Sequence, residues 1–166
     1  MQKTALLYGF HEMESSPLEN ELSARGFLTH IHKNTMTLQQ ELEGCDPQKT
    51  VLIIGATDIN AGMSYAGVFC GSVLPAALGM GDIEPYKSNI EIVSEAVKAY
   101  SPRSALQTAF KLGIPAVFST FQDEEGFTLQ KAQEANPNAI DATYPYEKIG
   151  HPEVVENVAT AAINAL

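Results

Sequence analysis

Apolar residues fall along this chain in two rhythms. Ala5-Leu6-Leu7-Tyr8 and Val51-Leu52-Ile53-Ile54 are short unbroken runs, the pattern of strands buried on both faces. Residues 27–32 alternate instead. Phe27, Thr29 and Ile31 share one face, and Leu28, His30 and His32 the other, which predicts a second strand between those two. Ser16-Pro17-Leu18-Glu19 has the shape of a helix start, with Leu18 and Leu22 four apart and Gly26 as the stop. Thr37-Leu38-Gln39-Gln40 repeats that start before Leu42, and Gly44 with Asp46-Pro47 closes the helix. A β-α-β-α-β order predicts a parallel sheet with right-handed crossovers.

Residues 56–114 then form a connection too long for a structureless loop in a compact domain. Their pattern predicts helices: a glycine-dotted one over 64–78 and one capped by Ser88 with the stripe Val93, Ala96, Val97 and Tyr100. A third restarts at Ser101-Pro102, with Leu106, Ala109 and Phe110 inward and Gly113 past its end. Residues 115–121 read as the fourth strand, 128–135 as a helix ended by Asn136-Pro137-Asn138, and 139–143 as a short fifth strand. The last helix opens at Pro152 and carries the stripe Val155, Val158, Ala159, Ala162, Ile163 and Leu166. The predicted fold is a three-layer α/β/α sandwich with a mainly parallel sheet of four or five strands, flavodoxin-like or Rossmann-like. It forms one domain over 1–166 with a helical Gly/Ala-rich insertion at about 56–114.

Composition narrows the partners. Ten basic residues against twenty acidic give a formal charge of −10, and no basic stripe exists to displace counterions from nucleic acid or meet an anionic membrane. Two cysteines, Cys45 and Cys70, are too few for a disulfide framework. Met1-Gln2-Lys3-Thr4 does not open a signal peptide, and the apolar-looking run 65–80 is too short to span a bilayer. A cytoplasmic protein without nucleic-acid or membrane partners is expected. The small-residue surface of Gly67, Gly71 and Gly79 suits close helix packing or a homo-oligomer contact.

In open α/β sheets, ligands sit outside the carboxyl ends of the strands. The third strand ends there in Gly55 and the turn that runs to Gly62, which is rich in small and hydrogen-bonding residues. Small residues let a ligand approach the backbone, and helix-end amides attract anions. The turn is neither a dinucleotide fingerprint nor a P-loop, so no cofactor is specified. Gly55, Thr57, Asn60, Gly62, Ser64, Tyr65 and Thr120 are the candidate ligand contacts.

The strand ends also gather His11, Glu12 and Glu14, His30 and His32, and Asp58. Such a set can exchange protons or hold a divalent ion, but it has no metal-ligand spacing, and no metal ligand is assigned. His11, His32 and Asp58 are the candidate catalytic groups. The leading expectation is a cytosolic enzyme acting on a small polar, anionic metabolite. The alternatives are a non-catalytic ligand-binding or oligomer-forming protein and a divalent-metal-dependent enzyme using His and carboxylate ligands.

Overall fold

The computed structural model describes residues 2–10, 12–33, 35–55, 102–121 and 129–166, the side chains of Glu12, Thr35 and Met36 excepted. Its strands are β1 (Lys3–Tyr8), β2 (Phe27–His32), β3 (Thr50–Gly55), β4 (Ala116–Ser119) and β5 (Ile140–Asp141). The helices are α1 (Glu12–Ala24), α2 (Thr35–Gly44), α3 (Pro102–Leu112), α4 (Leu129–Ala135) and α5 (Pro152–Asn164), with a 3-10 turn at Tyr146–Lys148.

All five strands pair in parallel in the order β2-β1-β3-β4-β5, the flavodoxin-like order. Alternation along each strand sorts the core into two layers. Leu6 and Tyr8, Leu52 and Ile54, and Ala116 and Phe118 pack under α2, α3 and α4 through Leu38, Leu42, Leu106 and Ala132. Ala5 and Leu7, Val51 and Ile53, and Val117 pack under α1 and α5 through Leu18, Leu22, Val158 and Ala162. The protein is therefore a three-layer α/β/α sandwich, as its hydrophobic pattern predicts. No helix among the described residues is long and apolar enough to cross a membrane.

Several boundaries move. Helix α1 begins at Glu12, four residues before the expected cap, and carries Pro17 inside it. A proline there lacks the N–H that would bond the carbonyl four residues earlier, so the sequence reads as a start although the helix is already under way. Helix α2 begins at Thr35, and Thr37, the expected cap, meets His32 instead. Phe110 was expected inward but is exposed, because Ala105, Leu106 and Ala109 form the buried stripe of α3. Strand β5 is two residues rather than five. Gly26 does end α1, in the left-handed conformation (φ +85°) that glycine adopts freely. The helices expected over 64–78 and after Ser88 lie outside the described residues.

At the carboxyl edge the central strands come very close. Gly9 has φ +81°, and a Cβ placed on it would stand 1.9 Å from the carbonyl oxygen of Gly55. A Cβ on Gly55 would in turn meet the Phe10 ring at 2.7 Å. Two glycines thus allow the ends of β1 and β3 to touch and Phe10 to lie over them.

Candidate functional site at the carboxyl edge

Register aligns the strand ends. Tyr8 stands beside His32 and Ile54, and Gly55 beside Ser119. Beyond this edge, on the α1/α5 face, lies a small cleft, partly open to solvent and walled by Phe10, Pro17, Leu18, Val154 and Val158.

Four polar residues reach this apolar cleft: Glu14 from α1, Ser119 from the end of β4, Tyr144 from just beyond β5, and His151 from the start of α5. Ser119 is 2% exposed and continues the row of Val117, so period-2 alternation carries it to the α1/α5 face. Tyr144 is held by its backbone N–H, which donates to the Thr120 carbonyl at 3.0 Å. Its phenol donates to Glu14 Oε1 at 3.2 Å. Burial pushes the phenol well above the usual tyrosine range, and the Glu14 carboxylate adds to the shift. Tyr144 therefore stays protonated and acts as a donor, not a base. At the N-terminus of α5, His151 Nδ1 accepts from the Glu153 N–H at 3.3 Å.

A second cluster sits on the opposite face of the sheet. His30 and His32 share the face of β2 that meets α2, where Glu41 lies between them. His30 Nδ1 contacts one carboxylate oxygen, and His32 Nε2 lies 2.7 Å from the other. The second contact is out of line for a hydrogen bond, so the buried Nε2 of His32 lacks a hydrogen-bond partner despite its nearness to charge. Its Nδ1 is 3.2 Å from Thr37 Oγ1. Burial holds the imidazole below the usual histidine range, overcoming the opposing pull of Glu41, and His30 depresses it further. Each imidazole meets its own oxygen of Glu41. Among the described residues no three His, Cys, Asp or Glu side chains are arranged to hold a metal ion.

Of the residues chosen from sequence, His32 ends β2 on the α2 side, across the sheet from the cleft. Gly55 ends β3 beneath Phe10, and Thr120 is buried beside the cleft, with its carbonyl anchoring Tyr144. His11, Thr57, Asp58, Asn60, Gly62, Ser64 and Tyr65 lie outside the described residues. Sequence reasoning grouped Glu14 with the strand ends but passed over Ser119 and Tyr144. Alternation from Val117 was a signal for the first, whereas nothing local marks the second.

No family model and no curated protein sequence matches this chain. Among solved structures, it is similar to the RpiR transcription factor from Sphaerobacter thermophilus (sugar isomerase domain). That likeness has a TM-score of 0.48 at 15% identity and covers 99% of this chain and 72% of that one.

Proposed function

We propose that this chain binds a small polar molecule in the carboxyl-edge cleft between α1 and α5. The observation that carries the reading is the meeting of a buried hydroxyl (Ser119), a protonated phenol (Tyr144) and a carboxylate (Glu14) in one apolar-walled cleft. Apolar walls give a ligand contact area, and a few convergent polar groups fix its orientation.

The reading extends to catalysis in the cytoplasm by a single domain. Asp58 and His11 would transfer protons, and Thr57, Asn60, Gly62, Ser64, Tyr65 and Thr120 would orient the substrate. His32, across the sheet, serves α2 in this proposal rather than the ligand. An anionic substrate would need its positive charge from outside the described lining, which holds no Lys or Arg. The Gly/Ala-rich segment is the proposed contact in a homo-oligomer.

A thermal-shift screen of small polar metabolites tests the binding reading, since a ligand stabilises the state it occupies. Hits should bind Ser119→Val and Tyr144→Phe at least roughly tenfold more weakly, the loss of about 1.4 kcal/mol that one or two hydrogen bonds supply. Hits that bind both variants as tightly as the parent overturn the cleft as the site. Asp58→Ala should then abolish turnover of a hit that is a substrate. Binding without any product instead selects the non-catalytic alternative.

A further inference from the structure

We propose that His30, Glu41 and His32 form an acid-sensitive seam between β2 and α2, at which a fall in pH loosens this side of the sheet without unfolding the rest. The seam lies across the sheet from the cleft and does not depend on what binds there. Both imidazoles project from the α2 face of β2 onto one carboxylate. That carboxylate balances the charge of one added proton, and a second leaves the cluster net positive. The surroundings hydrate it only in part, since the side chains of His30, Glu41 and His32 are 40, 29 and 10% exposed. The cost falls on His32, whose buried Nε2 lacks a hydrogen-bond partner. When the seam parts, that nitrogen reaches water, so the open form takes up a proton more readily than the closed one.

Among the described residues, no element packed against β2 supplies a second counter-charge. The other acid of α2, Glu43, accepts from Gln39 Nε2 at 3.2 Å. Helix α1 packs on the opposite face, where Glu19 accepts from the Thr29 hydroxyl at 3.3 Å. Strand β1 sets Leu6 beside His30 and Tyr8 beside His32, neither of them charged at neutral pH. Lys33, next after His32, is exposed and has the wrong sign to help. The depressed affinity of His32 for a proton agrees with this setting. An opened imidazole therefore gains its proton from about pH 6.5 downward, and the closed one only at lower pH, so acid favours opening. Position makes the opening local. Strand β2 ends the described sheet, with β1 as its strand neighbour, so β2 and α2 part while β1, β3 and β4 stay paired.

The test is native-state hydrogen exchange of the full chain at about pH 7.5 and 5.5, corrected for the intrinsic pH dependence of exchange and followed at low urea concentrations. Amides of β2 and α2 should lose protection at least about threefold at the lower pH. They should do so through openings that depend weakly on urea, because little surface is exposed. Amides of α5, on the other face, should show no such weakly urea-dependent acceleration. His32→Gln should remove the response. Should that variant fold poorly, the two more exposed positions carry the test in opposite directions. His30→Gln should weaken the response, because Glu41 then serves His32 alone, and Glu41→Gln should strengthen it by removing the counter-charge. Protection that does not change with pH overturns the seam, as does an acceleration with the full urea dependence of global unfolding. An unaltered response in both His30→Gln and Glu41→Gln overturns it too.

Discussion

Gly9→Ala, measured beside Gly26→Ala, tests the close approach of β1 and β3 on which the carboxyl edge depends. Both glycines have positive φ, +81° and +85°, so alanine at either site adopts a left-handed backbone. That conformational cost is about 1–2 kcal/mol for a residue with a Cβ. At Gly26 the added methyl meets nothing within 4 Å among the described residues, and the cost ends there. At Gly9 it would stand 1.9 Å from the Gly55 carbonyl oxygen and 3.1 Å from its carbon. The obstacle is backbone, which has no rotamer to change, so the strand ends must move apart. Overpacking of this kind costs about 1–3 kcal/mol more. Urea unfolding of both variants at unchanged m-value should give Gly9→Ala a loss about 1–3 kcal/mol greater than Gly26→Ala. Equal losses would refute the contact between the two strand ends.

Two further outcomes follow from the packing and the ionisation. Val158, on the inner face of α5, is 2% exposed, so Val158→Ala should cost about 1–4 kcal/mol; an unchanged melt would show α5 to be peripheral. His32 has a native pKa below its unfolded value, so between the two the unfolded chain binds more protons. Its contribution is complete above about pH 6.5, the unfolded value, and is lost as pH falls toward the native one. His32→Gln should flatten the fall in melting temperature on acidification below that point, and an unchanged slope would exclude His32 as its source.

The layers were legible because strands buried on both faces must be apolar at consecutive positions, and β1 and β3 are. The edges of elements were less so. Pro17 reads as a helix start, yet here Glu12 to Ser16 precede it in the same helix. The site was partly legible for a related reason. Fold logic points to the carboxyl edge, and Glu14, Thr120 and Gly55 were found there. However, the edge has two sides, and which side a residue serves depends on register. His32 follows Tyr8 onto the α2 side, while Ser119 follows Val117 onto the other. Tyr144 joins the site through pairing with Thr120 and a bond to a residue 130 positions away, information that exists only in the folded chain.

That bond has a kinetic consequence. Glu14 belongs to the first helix and Tyr144 to the stretch before the last, so the cleft encloses nearly the whole loop of intervening sequence. Closing such a loop is entropically costly and contributes late, after the local units have formed. Partly folded chains that contain β1, α1, β2, α2 and β3 would have the central sheet but not the cleft. A bound ligand would then slow unfolding more than it speeds refolding, because its contacts are missing from the transition state. In hydrogen exchange, α1 and α5 should gain protection together on ligand addition, although they are far apart in sequence.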